Sequence, residues 1–484
     1  MKTKPMKHQE EGQARMDANP SVYALACEQG TGKTWMLLND MERQFMGGRV
    51  NAALVIAPKG VHSNWIRREI PKHCSIPVSG YAWVSGMGKR AKAKFDAFME
   101  LEFEGLKVLA MNVDAVNTEA GYAAAAKFLK MHRCYMAVDE SSRIKTPNAQ
   151  RTKKLIKLGA LAVSRRIASG TMVTNGPIDL FSQFEFLKPG LLGTTSYRAF
   201  VAEYAKILPP QHGLMQHVQK RNRSGQAPQI IEKDDRGRPI WRNLEKLNAL
   251  LAPMMYRVKK VDCLDLPEKI YQTISFPLAP KQQGAYELMR DEFRLLLDDG
   301  DFQTVKALAA LNKLRQITSG FVMVDGVAAS LSESGPRLSA LMEIVEDLDG
   351  QFIVWAYYRE ELRQVSEALA KAGLKVVQYH GGVNNADREY AVDAFQRGEV
   401  DVFVGQPQSG GIGLTLTNAS TVIYYSNDFS LENRLQSEDR AHRIGTEKHV
   451  VYYDILAEDT IDEKIVDALH SKQDVANAII DGEF

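Results

Sequence analysis

Eight residues near the start of the chain, CEQGTGKT at 27–34, have the order that a phosphate chain requires. Gly30 and Gly32, on either side of Thr31, let backbone N–H groups approach phosphate oxygens. Lys33 can reach the β- and γ-phosphates, and the Thr34 hydroxyl is suited to magnesium. The fuller pattern would begin with glycine, where this chain has Cys27. A second reactive pair, Asp139 and Glu140, follows the apolar run CYMAV. Carboxylates at the tip of a buried strand are costly unless a cation is close. Beside a phosphate loop, Asp139 would hold magnesium, and Glu140 would orient and deprotonate an attacking water. Far downstream, in QSEDRAHRIG, Gln436 lies four residues before Arg440, and Arg443 three after it. On a helix the three share one face. Alone they describe a solvated charged stripe balanced by Glu438 and Asp439. With a triphosphate site upstream, the arginines suit the charge that spreads over a phosphoryl group in transfer.

This chemistry needs strands that end where these residues stand. In the first half, VYALA (22–26), AALVIA (52–57), KVLAM (107–111), CYMAV (134–138) and RRIAS (165–169) alternate with helical patterns. In the second half the same alternation runs through FIVWA (352–356), KVVQYH (375–380), DVFVG (401–405), TVIYY (421–425) and VVYYDIL (450–456). Apolar runs separated by helices predict buried parallel strands, so the fold class is α/β with two similar lobes. Residues 196–339 read mainly helical, as in KQQGAYELMRDEFRLLLDD and TVKALAALNKLRQI. The expected organisation is an ATP-binding lobe at 1–195, helical insertions and a linker at 196–339, and a second lobe at 340–484. The two arginines belong to the second lobe, so their action on the γ-phosphate would depend on lobe closure.

Length supports more than one core: 484 residues exceed an ordinary single domain. With 61 Lys+Arg against 59 Asp+Glu the net charge is +2, so a nucleic acid would have to be held by a local patch. Such a patch spans 206–260, where twelve Lys+Arg face four Asp+Glu and include Lys220, Arg221 and Arg223. The four cysteines form no CxxC pair, which argues against a zinc site or a disulfide framework and suits a reducing compartment. No apolar run approaches a membrane span, and the first residues form no signal region. A cytoplasmic location is expected.

These motifs, in order, resemble those of the SWI/SNF-type DNA translocases, a branch of the superfamily 2 helicases. KHQEEG resembles the adenine-reading Q motif, with Gln9, and EQGTGKT resembles motif I. IAPKGVHSNWIRRE is similar to motif Ia, with Lys59, Asn64 and Trp65. DESSRIKTPNAQRTK resembles the DExH box, with Ser142 in place of histidine. ASGTMVTNGPIDLFSQFEFLKPG resembles motif III, with Ser169, Gly170 and Thr171. LAPMMYRVKKVDCLDLPEK is similar to the Arg-x-Lys linker. SGGIGLTLTNAS, with Gly410 and Gly411, resembles motif V, and QSEDRAHRIG resembles motif VI. Thr415 and Thr446 stand where asparagine and glutamine are usual.

The resemblance implies two RecA-like lobes of the P-loop class, with ATP and Mg2+ as cofactors. It implies a DNA-dependent ATPase that tracks along double-stranded DNA without obligatory strand separation. Lys59, Asn64, Trp65, Ser169, Gly170, Thr171, Gly410 and Gly411 would touch the DNA backbone, without sequence specificity. A monomer is expected, from a prokaryotic or viral source, with any protein partner left open. The rival expectations are a strand-separating DNA or RNA helicase and an ATP-gated clamp that needs a protein partner.

Overall fold

The computed structural model describes residues 1–209, 229–298, 304–332, 335–410 and 414–481. Its chain forms two compact units. The first comprises Met1–Lys206, Pro239–Asp265 and Lys472–Phe484, and the second Ile207–Arg238 and Leu266–Ser471. Gly411 and the basic residues Lys220, Arg221 and Arg223 lie outside the described residues.

The first unit is built on seven strands: β1 (Val22–Cys27), β2 (Ala52–Ala57), β3 (Val78–Ala82), β4 (Leu106–Asn112), β5 (Cys134–Asp139), β6 (Ser164–Ala168) and β7 (Met255–Val258). They pair in the order β3-β4-β2-β5-β6-β1-β7, and every pair is parallel. Both faces are covered, which is why β2 and β5 are buried at every residue. Alternate residues serve opposite cores. Leu54, Ile56, Met136 and Val138 join one cluster, while Ala53, Val55, Tyr135 and Ala137 join the other.

The second unit contains β8 (Lys269–Phe276), the hairpin β9 (Phe321–Val324) and β10 (Val327–Ser330), then β11 (Phe352–Trp355), β12 (Val376–Tyr379), β13 (Val402–Gly405), β14 (Thr421–Tyr424) and β15 (Val450–Ala457). Its main sheet runs β12-β13-β11-β14-β15-β8, again all parallel. The two-lobed α/β fold expected from sequence is therefore present, and all ten expected strands form. Helices Pro280–Asp298 and Thr304–Thr318 form where their apolar periodicity placed them.

The stretch 196–339 holds more strand than its sequence suggests. It supplies β7 to the first sheet and β8 to the second. Both are edge strands. β7 has four residues, and the first seven of β8 are exposed or half-buried, so neither carries the apolar run that marks an interior strand. Among the described residues, no helix is long and apolar enough to cross a membrane.

One ion pair is sealed inside the first unit. Arg166 on β6 donates through Nε to Asp40 Oδ2 at 2.9 Å, and both side chains are essentially inaccessible. Gln44 supplies two further hydrogen bonds to that carboxylate. Removing one partner leaves the other charge buried and uncompensated. Asp40→Ala is therefore expected to destabilise the chain by about 3–5 kcal/mol, read as a lowered denaturant midpoint.

Candidate active site

In the first sheet β5, β6 and β1 are consecutive neighbours, so their carboxyl ends open side by side. Asp139 ends β5 and Glu140 follows it, the Ser-Gly-Thr stretch follows β6, and the glycine loop follows β1. Crevices at the carboxyl ends of parallel strands are where ligands bind.

The loop has the backbone that its glycines allow. Gly30 and Gly32 both have φ of +84°, in the left-handed region. A side chain at position 32 would collide with Gln9 Nε2. Helix Lys33–Met46 starts at Gly32 with no side-chain cap, so its first N–H groups are available to an anion. Lys33 is buried and folds over the loop, donating from Nζ to the carbonyls of Cys27 at 2.9 Å and Glu28 at 3.1 Å. Thr31 is buried and Thr34 half-buried at the helix start.

The loop is clasped from two sides. Gln9 accepts the Met6 N–H at 2.9 Å and donates to Thr31 O at 3.3 Å, so both ends of its amide hold protein backbone here. His8 Nε2 lies 2.8 Å from the same carbonyl, an interaction that sequence gave no signal for. From β7, Arg257 donates to Ala26 O at 3.1 Å and lies 3.4 Å from Glu28. Glu28 in turn accepts the Lys260 N–H at 2.9 Å. The Arg-x-Lys segment thus supports the loop. A pocket of about 770 Å3 opens beside it, lined by Lys7, His8, Glu11, Tyr256, Arg257 and Cys263 among others.

Asp139 is buried, and burial pushes its carboxyl above the ordinary range despite the nearby Lys33 and a hydrogen bond from Trp65; the Glu69 charge adds to the rise. A buried carboxylate in that condition favours an added cation. Among the described residues no three His, Cys, Asp or Glu cluster as a metal cage. Magnesium takes one or two carboxylates plus phosphate oxygens and water. Asp139 and the Thr34 hydroxyl fit this demand.

Glu140 adopts φ +53°, a left-handed conformation rare for a residue with a side chain. Such conformations persist where surroundings enforce them, often at functional sites. Its Oε2 accepts from Ser169 Oγ at 3.1 Å, and Ser169 Oγ accepts the Thr171 N–H at 3.1 Å. Next to it, Ser141 donates to Gln183 at 2.7 Å, and Gln183 donates to Met172 O at 2.8 Å. The acidic pair is thereby tied to the Ser-Gly-Thr stretch, even with Ser142 replacing histidine.

Several residues expected on DNA are buried in this structure. Trp65 is 1% exposed and donates to Asp139 Oδ2 at 3.1 Å, so its ring offers no face to a duplex in this structure. Ser169 and Thr171 are buried, and a Cβ on Gly170 would lie 3.1 Å from Gln29 N. These three link the acidic pair to the phosphate loop. Lys59 is exposed and Asn64 half-buried. Gly410 closes the short helix Pro407–Gly410 in the second unit.

In the second unit, helix Leu431–Ala441 carries Gln436 and Arg440, and both are buried. The helix ends at Ala441, so Arg443 does not extend their stripe, contrary to the spacing expectation. It lies in the turn that follows, which Gly445 permits at φ +101°. Thr446 fixes that turn by accepting the Arg443 N–H at 3.1 Å and donating to Ala441 O at 2.7 Å. Arg443 Nη1 donates to Thr415 Oγ1 at 3.3 Å. The two threonines that depart from the family pattern both hold Arg443. Arg440 Nη1 donates to Leu414 O at 3.3 Å.

Glu438 overturns the solvated-face alternative, because it is buried rather than balancing a surface. It accepts from Arg434 at 2.7 Å, Lys269 at 2.9 Å and Tyr271 at 2.8 Å. Arg434 also grips Asp454 with two bonds, of 2.6 and 2.9 Å. This cluster anchors the helix that presents Gln436 and Arg440.

Comparison with known proteins gives two family matches. The SNF2-related domain matches residues 14–320, and the helicase conserved C-terminal domain matches residues 336–445. YwqA of Bacillus subtilis is 28% identical over 95% of this chain and 46% of that protein. The mouse chromodomain-helicase-DNA-binding protein 1-like is 25% identical over 95% of this chain and 48% of that protein. The chain spans about half the length of these relatives. A solved Sulfolobus solfataricus SWI2/SNF2 ATPase core in complex with dsDNA aligns over 100% of this chain and 94% of that one, with 22% identity and a TM-score of 0.42.

Burial opposes the charge of Glu438, but Lys269 and Arg434 outweigh it and hold its carboxyl down at about 2. A carboxyl depressed in the folded state stabilises it above the unfolded value of ~4.3, and this contribution is lost as pH falls toward 2. Glu438→Gln should therefore flatten the acid limb of melting temperature against pH between about 4.5 and 2.

Proposed function

The chain belongs to the SNF2-related family, and on that premise we propose that it is an ATPase driven by double-stranded DNA, along whose backbone it moves without obligatory strand separation. One observation carries the ATPase half. Three neighbouring strands present a phosphate loop, a carboxylate pair whose first member is buried, and the serine that holds the second carboxylate. Their parts divide as phosphoryl transfer requires. Backbone N–H groups from Gly30 to Thr34 and the Lys33 ammonium bind the phosphates. Asp139 and Thr34 would hold magnesium, which would supply positive charge to the phosphates. Glu140, fixed by Ser169, orients the attacking water and takes its proton. Arg440 and Arg443 are assigned to the charge on the transferred group.

For DNA, the support is family membership, exposed Lys59 and the excess of basic residues in 206–260. Contacts of this kind bind phosphates without reading bases, so affinity should fall steeply with salt.

ATP hydrolysis measured with duplex DNA, single-stranded DNA and RNA as alternative activators tests the proposal. Duplex should stimulate most, and Glu140→Gln should keep nucleotide and duplex binding while turnover disappears. Stronger stimulation by a single strand would replace this reading with a strand-separating helicase. No stimulation by any nucleic acid would favour a clamp that awaits a protein partner.

Arg443→Ala should lower single-turnover hydrolysis by roughly 10³-fold, the low end for an arginine finger, while duplex binding persists. Lysine should restore little, since an ammonium lacks the planar fork. An arginine with only a surface role would instead change stability by about 0.5 kcal/mol or less and leave turnover intact.

A further inference from the structure

Trp65 starts a π-helical turn, Trp65–Glu69, in which the Ile70 N–H donates to the Trp65 carbonyl five residues back. Such turns are rare and concentrate at functional sites. The segment follows β2, exposed Lys59 and the short helix Val61–Asn64, yet it directs its indole inward. Nε1 donates to Asp139 Oδ2 at 3.1 Å, while Asp139 Oδ1 accepts the Glu140 N–H at 3.1 Å. Each carboxylate oxygen is thus held by one donor and keeps lone pairs for a further partner. The type of donor matters. Indole N–H donates only and carries no charge, so it orients the carboxylate without neutralising it. An arginine or lysine in its place would compete with a metal ion for the same charge.

We propose that Trp65 is a positioning residue for the metal site, its indole N–H holding Asp139 in the orientation that meets magnesium. This rests on the nucleotide-site reading above and adds a residue that the motif pattern had assigned to DNA. The role is positional, because the indole would touch neither nucleotide nor metal.

The test measures Mn2+ binding by electron paramagnetic resonance, on the full chain loaded with a non-hydrolysable ATP analogue. Trp65→Phe keeps a ring and removes the donor. Nucleotide affinity in EDTA should stay within about twofold of the wild type, and the Mn2+ dissociation constant should rise about tenfold or more, as expected when a hydrogen bond to a charged group is lost. In an Asp139→Asn background the same substitution should add little, because the two residues act as one unit. If phenylalanine perturbs folding, 3-benzothienylalanine placed at position 65 keeps the indole shape and deletes only the N–H, and it should weaken Mn2+ equally. Unchanged Mn2+ affinity in a folded variant with normal nucleotide affinity would overturn the proposal. An equal loss with and without Asp139 would also overturn it, by showing that Trp65 acts elsewhere. A wild-type chain that bound no Mn2+ with nucleotide would overturn the proposed function and this inference together.

Discussion

A negative charge set at the end of an interior strand has to be compensated, and the first unit is arranged around that requirement. Asp139 closes β5 where both sheet faces are covered, so water solvates it little. The available compensation is directional: Trp65 and the Glu140 amide as donors, and Lys33 as a nearby charge. None of these cancels the charge as a bidentate arginine would. What is left over is the attraction for a divalent cation, which a phosphate chain on the adjacent loop would share. Glu140 follows in a strained left-handed conformation, and its hydrogen bond to Ser169 sets its direction.

The second unit meets the opposite condition with the opposite solution. Helix Leu431–Ala441 carries many charges for an interior helix, and it is seated by pairing them fully. Arg434, Glu438, Lys269 and Asp454 form a closed set of short bonds, with Tyr271 on the same Glu438 oxygen as Lys269. Breaking such a set by deleting one member leaves a buried charge, so the helix has one seat rather than several. Rigid seating is what Gln436 and Arg440 need if they are to act on a ligand in fixed geometry. Arg443, beyond the helix end, is positioned instead by a threonine-fixed turn.

The division between the legible and the hidden follows the range of the forces concerned. The phosphate loop was readable because its chemistry lies in consecutive residues: two glycines that reach φ +84°, then lysine and threonine at a helix start. The interior strands were readable because burial on both faces writes an unbroken apolar run. Edge strands β7 and β8 have one neighbour each and no such run, so only their pairing with β1 and β15 reveals them.

By itself, then, the sequence determined the two parallel sheets, the loop for phosphates and the acidic pair, each encoded within a few neighbouring positions. Tertiary structure alone decided which way the remaining side chains face. Trp65 meets Asp139 across 74 positions, and Lys269 meets Glu438 across 169. The turn holding Arg443 depends on Thr446 and Thr415, where the motif pattern expects other residues. A tryptophan six residues after exposed Lys59, or a glutamate among charged neighbours, has the same local pattern whether it faces solvent or core. The distant partner that satisfies its hydrogen bond decides between them, and that partner is fixed only once the chain has folded.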